Sequence, residues 1–465
     1  MNKARDQGLE RLRDYTGGTE GYKRTEVGMI PDDWEVCEIA DLNPFITSGS
    51  RGWANFYSDR GAPFIRITNM SRKSIYLNLI DLKLVNLPSG VNEGMRTQLQ
   101  IGDVLISITA DIGIIGYINA SITKPAYINQ HIALVRFDLN KANSLFLSYF
   151  LACENSQKIF RGSTDLGAKA GMSLGTVRNI RLVLPPLSEQ KAIALTLFDT
   201  DALIAACDRA ITKKRNIKQG AMQQLLTGKM RLPSFSSEWE QEYKKTEVRV
   251  IPYNWKLKPL KAVSSMSGRI GWQGLKQEEF TFNTSEPFLI TGMNFKDGKI
   301  RWEEVYHIPE KRYQEAKNIQ LQEEDILMTK DGTIGKLLYV ENIPFPGKAS
   351  LNSHLLVFRP LNNSYYPKFL FYQLSFKQFT DYVDLNKSGS TFFGITQEAV
   401  GNYKAYLPPL PEQKAIAQIL SDMDAEIAAL EKKRDKYKAI KQGMMQELLT
   451  GKIRLNTDDT EIRMT

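Results

Sequence analysis

Leu-Pro-Pro-Leu-Ser-Glu-Gln-Lys-Ala-Ile-Ala runs from Leu184 to Ala194, and Leu-Pro-Pro-Leu-Pro-Glu-Gln-Lys-Ala-Ile-Ala runs from Leu407 to Ala417. The second begins 223 positions after the first (184 to 407), and the offset persists down the chain. Ile217-Lys218-Gln219-Gly220 matches Ile440-Lys441-Gln442-Gly443, and Leu225–Lys229 matches Leu448–Lys452. Tyr22–Trp34 also corresponds to Tyr243–Trp255, here 221 positions apart (22 to 243), with Thr-Glu-Val and Ile-Pro kept in both. A repeat of this size exceeds the roughly 20–50-residue period of solenoids. It is a domain-scale duplication, in which one polypeptide imitates a dimer.

Each half reads as a mixed α+β module followed by one long helix. Strand-like runs such as Pro63–Ile67, Asp103–Ile108 and His131–Arg136 recur as Pro287–Ile290, Asp325–Thr329 and His354–Arg359. They are β-branched and apolar stretches bounded by Gly, Asn, Asp and Pro. Leu145–Arg161 and Pro367–Asp384 read as amphipathic helices. The paired prolines then favour an extended exit. Ser188 is placed as an N-cap and Pro411 in a first helical turn. Steps of four and three put Ile193, Leu197, Ile204, Ile211 and Leu225 on one seam, and Ile416, Leu420, Ile427, Leu430 and Leu448 on its counterpart. Gly228 and Gly451 sit where a left-handed C′ residue ends a helix. A helix of about 40 residues is roughly 60 Å long, more than one module covers. The two are therefore expected to pack on each other, antiparallel about a pseudo-twofold axis, as a coiled-coil spacer. Lys214, Lys218, Arg434 and Lys441 interrupt the seam and are read as snorkelling or facing another subunit.

The segmentation is 1–21 as a charged lead, either a short helix or a frayed extension, and 22–185 as the first module. Residues 186–232 form the first helical spacer, and 233–408 a linker and the second module. The second spacer is 409–455, and 456–465 is a tail.

The net charge of +9 over 465 residues favours a polyanionic partner. Three isolated cysteines argue against a disulfide framework and for a reducing cytosol. No signal peptide is read, and Val104–Ile118 is too short and too polar to span a bilayer, so a soluble, cytoplasmic protein without membrane attachment is expected. Catalytic and metal motifs are missing. Gly332-Thr333-Ile334-Gly335-Lys336 has the wrong spacing for a phosphate loop. Asn43-Pro44-Phe45 is one proline short of an adenine-methyltransferase signature, and His131, His307 and His354 lack partners at metal-ligand spacing. The chain is expected to bear neither catalytic nor metal-binding residues.

A mixed module, Leu-Pro-Pro-Leu-x-Glu-Gln, a long helix ending in Leu-Leu-Thr-Gly-Lys, and the whole repeated, resembles the specificity subunit of type I restriction-modification enzymes. Ser48–Trp53, Gly268–Leu275 and Thr329–Gly335 agree with it, and the resemblance covers Tyr22 to Leu455. It implies two target recognition domains, each reading half of a bipartite asymmetric site in double-stranded DNA. The helices would be a spacer and a dock for two modification (adenine methyltransferase) subunits, with restriction/translocase subunits added. It implies no cofactor on this chain, with S-adenosylmethionine, ATP and Mg on the partners. A stand-alone tandem nucleic-acid-binding protein is the alternative.

Base readout needs polar side chains on loops, with Lys or Arg on phosphates. In the first module the candidates are Arg51, Trp53, Arg66, Asn69, Thr109, Asn129, Gln130, His131, Lys169 and Ser173. In the second they are Arg269, Trp272, Asn294, Lys296, Lys330, Asp331, Asn352, His354, Lys387, Ser388, Ser390 and Thr391. Core packing for the tryptophans and turn formation for the asparagines remain open readings.

Overall fold

The computed structural model describes residues 21–88, 94–162, 171–235, 243–247, 249–269, 275–296, 298–389 and 393–455. They fall into two compact units. One takes the chain up to Asp208 and again from Lys432; the other takes Arg209–Glu431. The divisions lie inside the long helices Leu187–Leu225 and Leu410–Leu448, so each unit holds one module and part of both helices. Residues 1–20 of the lead and the whole tail lie outside the described residues.

In the first module the central antiparallel sheet has the order Phe45–Ser48, Ile132–Arg136, Val104–Ser107, Ile115–Tyr117. The second module repeats it as Ser264–Ser267, Leu355–Pro360, Ile326–Thr329, Leu337–Tyr339. The middle strands are unbroken apolar runs because both faces of the sheet are covered. Val104, Ile106, Ala133 and Val135 enter one core, while Leu105, Ile132 and Leu134 enter another on the opposite face. Ile326, Met328, Leu356 and Phe358 are divided from Leu327, Leu355 and Val357 in the same way. Alternate residues of a strand point to opposite faces. A bidentate ion pair closes each sheet at one place: Arg136 on Asp103, at 2.7 and 2.8 Å, and Arg359 on Asp325, both at 2.7 Å. A smaller sheet flanks the central one: Tyr127–Ile128, Ala62–Ile65, Lys83–Val85 and Tyr57–Ser58 in the first module. Tyr306–His307, Phe288–Ile290 and Ala349–Leu351 form its counterpart.

The expected single helices are each two. Ser144–Ala152 and Glu154–Gly162 are separated at Cys153, whose backbone is extended, and Pro367–Leu374 and Lys377–Asn386 are separated at extended Phe376. Ser188 is not an N-cap either. The helix already begins at Leu187, so Ser188 lies in its first turn, as Pro411 does in the second. Gly228 and Gly451 do end their helices in the left-handed region, at φ +68° and +72°.

The long helices pack in two ways, and the sequence suggested only one of them. Their middles face each other antiparallel, residue numbers rising on one as they fall on the other. In the first unit Asp201 meets Lys441 at 2.7 Å and Asp208 meets Arg434 at 3.5 Å. In the second, Lys214, Arg215 and Lys218 meet Glu426, Glu431 and Asp424 at 2.5–2.6 Å. The seam lysines and Arg434 are thus paired across the helices rather than turned toward another subunit. The Tyr149 hydroxyl donates to Asp201 and the Tyr372 hydroxyl to Asp424, and Lys441 and Lys218 lie 5.1 Å from those ring centres. Burial pushes both phenols well above their usual range. The exposed pairs contribute about 0–1 kcal/mol each, so they set register more than stability; Asp201–Lys441 is the one largely shielded from water on both sides. Of the seam residues, Ile193, Leu197, Ile211, Leu225, Ile416, Leu420, Ile427 and Leu448 are buried, while Ile204 and Leu430 are only partly so.

The helix ends do something else. Ile193 and Leu197, at the start of the first long helix, share a core with Leu448 and Leu449, at the end of the second, and with Trp34. Ile416 and Leu420 share the matching core with Leu225, Leu226 and Trp255. Each module is therefore completed by the start of the helix that follows it and the end of the other. A Cβ on Gly451 would come within 2.5 Å of the Pro31 ring, and one on Gly228 within 2.5 Å of Pro252. The Tyr22 and Tyr243 hydroxyls donate to the carbonyls of the same two glycines.

The Glu-Gln of the repeated motif fastens this junction. Glu189, 2% exposed, accepts from Trp34 Nε1 at 3.1 Å and from Arg454 through two bonds of 2.8 Å. Glu412, fully buried, accepts from Trp255 Nε1 at 3.3 Å and from Arg231 at 3.1 and 2.8 Å. Both carboxylates lie in a first helical turn, where the macrodipole favours them. Gln190 and Gln413 accept from the backbone N–H of Asn143 and Tyr366 and donate to the Pro185 and Pro408 carbonyls. The three cysteines are free thiols; burial pushes that of Cys37 up to about 11.

Two outcomes are expected. Arg231→Met strands a buried carboxylate and should cost about 3–5 kcal/mol in denaturant unfolding. Arg454→Met should cost less, because Arg454 is 39% exposed and Arg231 only 6%. Adding Glu412→Gln to Arg231→Met should restore part of the loss, and an additive loss would contradict a paired charge. Separately, Ile427→Asp should cost several kcal/mol and Ile204→Asp clearly less, followed as helical circular dichroism against urea.

Candidate nucleic-acid interface

Three loops converge in each module, on the same backbone scaffold. In the first, the Ile108 N–H donates to the His131 carbonyl at 2.9 Å, and Met172 N–H donates to the Ile108 carbonyl at 2.8 Å. Thr109 forms an isolated bridge with Gly171. In the second, Lys330 N–H donates to the His354 carbonyl and Ile395 N–H to the Lys330 carbonyl, both at 2.9 Å, and Asp331 bridges Gly394. The loops after Val104–Ser107 and Ile326–Thr329 are thus pinned between the turn entering the next central strand and a third segment.

The side chains on this scaffold differ between the modules. His131 Nδ1 is hydrogen-bonded to Thr109 Oγ1, and Gln130 lies 3.0 Å from its Nε2. In the second copy His354 Nδ1 is 3.1 Å from Asp331 Oδ2, and Lys330 is 3.3 Å from the same oxygen. A hydroxyl in one module is replaced by a carboxylate flanked by a cation in the other. Both sets are at least partly exposed. Hydroxyl, amide and imidazole groups donate and accept, whereas an ionised carboxylate only accepts, so the two surfaces present different hydrogen-bonding patterns.

Several other candidates are committed to their own module. Trp53 is 3% exposed, its ring 4.8 Å from that of Phe64 and 5.2 Å from that of Tyr127. Asn69 and Asn294 are buried staples. Their side-chain oxygens accept from Arg66 and Thr291 N–H, and their amides donate to the Asn78 and Glu304 carbonyls. Arg269, 6% exposed, donates to the Leu351 carbonyl and Ser350 Oγ at 2.8 and 2.9 Å, and burial draws its pKa down to about 10. These four face inward and leave no edge for a base. Asn129 and Asn352 accept from the N–H of His131 and His354, so they form the turns that present the histidines. The glycine-rich loop before Trp53 serves packing as well, since a Cβ on Gly49 would lie 2.3 Å from the Asn129 backbone.

Of the rest, Arg66 donates to the Asp81 carbonyl, Lys296 pairs with Glu304, and Ser173 caps the helix Leu174–Arg178. Lys387 pairs with Asp384 at 2.9 Å, and Arg51 and Ser388 are exposed. Lys169, Trp272, Ser390 and Thr391 lie outside the described residues. Two residues were not anticipated. Arg72 reaches the loop of Thr109, bonding Asp111 and the Ile112 carbonyl. Met293, 83% exposed, lies on the turn Gly292–Asn294, and a Cβ on Gly292 would touch Thr329 at 3.0 Å. The matched asparagines Asn69 and Asn294 already marked that turn, but a lone methionine carries no sequence signal. Among the described residues there is no group of three or more potential metal ligands, and no helix is long and apolar enough to cross a membrane.

Residues 31–217 and 252–441 match the type I restriction modification DNA specificity domain. The chain is 29% identical over 448 residues to the putative type I restriction enzyme MjaX specificity subunit of Methanocaldococcus jannaschii, spanning 94% of this chain and 98% of that one. It is 27% identical over 457 residues to the MjaVIII specificity subunit of the same organism, spanning 94% and 96%. Its fold is similar to that of the type I restriction-modification S subunit from M. genitalium, at a TM-score of 0.56 and 14% identity, over 89% of this chain and 96% of that one. With two specificity-domain matches across most of its length, the chain belongs to the type I restriction modification DNA specificity family, whose non-catalytic subunits recognise DNA.

Proposed function

We propose that each module, 22–185 and 233–408, reads one half of a bipartite, asymmetric site in double-stranded DNA through its three-loop edge. The observation that carries this is the exchange of Thr109 for Asp331 on an otherwise matched scaffold of turn, histidine and bridging segment. Asp331 suits the exocyclic amine of cytosine or adenine, because a carboxylate accepts; Thr109, Gln130 and His131 suit a mixed pattern of donors and acceptors. Lys330, Lys387 and Arg51 supply charge for phosphates, and the net charge of +9 supports such a partner. The helical spacers, 186–232 and 409–455, fix the separation of the half-sites and dock two modification subunits, with restriction/translocase subunits joining through them. S-adenosylmethionine, ATP and Mg then belong to those partners, and the complex works in the cytoplasm, where the DNA is.

Substitutions should sort by module. Thr109→Ala or His131→Ala should relax one half-site, and Asp331→Asn or His354→Ala the other, each weakening preference by about 1–3 kcal/mol. Asn69→Ala and Arg269→Met should instead lower stability by about 1–3 kcal/mol and leave the bases read unchanged. Sequencing of methylated sites, paired with urea unfolding, checks both. A shift of both half-sites by one substitution would sink the assignment.

The ruler is tested by length. Thr227 is a poor insertion point, because it is buried beside the glycine that packs on Pro252. Matching seven-residue insertions between Asp208 and Arg209 and between Glu431 and Lys432 keep the heptad register. They add about 10 Å, at most roughly three base pairs. The spacer between half-sites should lengthen with the half-sites unchanged, while exchange of residues 22–185 should change one half-site and keep the spacing. Methylome mapping that found the reverse would contradict the division.

A further inference from the structure

Glycine inside a helix is the most costly residue after proline, and it normally earns its place by close packing. Gly220 and Gly443 stand inside the long helices, yet a Cβ on either would meet nothing within 4 Å among the described residues. One turn before each is an isoleucine turned to solvent: Ile217 is 47% exposed and Ile440 41%. One further turn back are the exposed Lys213 and Lys436. Spacings of four and three place each set on one stripe of its helix.

The fold explains several identities between the two helices but not these, nor the exposed Gln219 and Gln442 beside them. Lys218 and Lys441 pair with Asp424 and Asp201, and Leu225 and Leu448 are core. In the flanking segments Cys207–Asn216 and Leu430–Ala439 the copies share only Lys213 and Lys436. Drift therefore had room to replace an exposed isoleucine and a costly glycine, and both stand unchanged twice.

We infer that Lys213–Ile217–Gly220 and Lys436–Ile440–Gly443 are two equivalent docking stripes, each taking one copy of the modification subunit. The partner's backbone comes close enough at the glycine to exclude a side chain. The isoleucine fills an apolar recess beside it, and the lysine faces an acidic rim. One surface written twice suits one partner present twice. This inference rests on the reading of the chain as a specificity subunit and adds which face of each helix is used.

The test is co-purification of the full chain with the modification subunit of its own system, with mass by native mass spectrometry and affinity by titration. Gly220→Leu should leave helicity intact and reduce two bound copies to one; with Gly443→Leu added, none should bind. Gly220→Ala and Gly443→Ala should raise or preserve the melting temperature of the free chain, since alanine favours the helix. They should nevertheless weaken docking roughly tenfold or more. Retention of two copies at unchanged affinity by the alanine and leucine variants would overturn the stripes. If the unsubstituted chain bound no modification subunit, the reading of the spacer as a dock would fail, and the stripes with it.

Discussion

The structure turns on one buried carboxylate per unit. Glu189 and Glu412 are nearly inaccessible to water, and each is held by an indole near the start of its module, Trp34 or Trp255, and by an arginine just past the end of the opposite long helix. A charge in that position is tolerable only when every partner is present. The start of one helix, the end of the other and the edge of a module must therefore arrive together. Three segments far apart in sequence are forced into one place by the cost of leaving an ion unpaired.

This explains why the motif reads Glu-Gln rather than merely something polar. The glutamate binds the tertiary partners. The neighbouring glutamine binds only backbone, accepting from Asn143 or Tyr366 and donating to the proline carbonyl five residues earlier. One residue fixes the module to the helices, and the next fixes the angle at which the helix leaves the Pro-Pro segment. The copies nonetheless differ in exposure: Arg231 is buried, while Arg454 is partly open and shares itself with Asp33, whose carboxyl it holds below the usual range.

Duplication, the module-helix order, the central strands and the helix ends were legible because each leaves a local or periodic mark. The continuous runs Val104–Ser107 and Ile326–Thr329, and the glycines at φ near +70°, are such marks. The swapped helix ends were not legible. Leu448 looks the same in sequence whether it meets the first module or the second; contacts made only in the folded chain decide it, among them Gly451 on Pro31, Tyr22 on the Gly451 carbonyl and Arg454 on Glu189. The seam lysines were misread for a related reason, since their acidic partners lie on the other helix, about 200 residues away in sequence. At the three-loop edge, matched positions identified loops that converge on one scaffold but not the side chains that point outward. Asn69 and His131 are both polar residues in matched loops, yet one is a buried staple and the other stands on the edge.

The same division recurs at every scale. Groups that close the fold are kept in both copies with their partners: the Trp–Glu–Arg junction, the Arg–Asp clamps of the central sheets, the Tyr–Asp–Lys sets between the helices. On the three-loop edge the side chains diverge instead, as at Thr109 and Asp331, which share a backbone bridge and a histidine neighbour but carry a hydroxyl and a carboxylate. Burial ties a residue to several neighbours at once, so it changes only at large cost. A side chain on a pinned loop is free of that constraint while its backbone is not. Such a scaffold can alter the groups it presents without altering where the edge stands, because the backbone bonds to the His131 and His354 carbonyls are the same in both modules whichever side chain, Thr109 or Asp331, meets the ring.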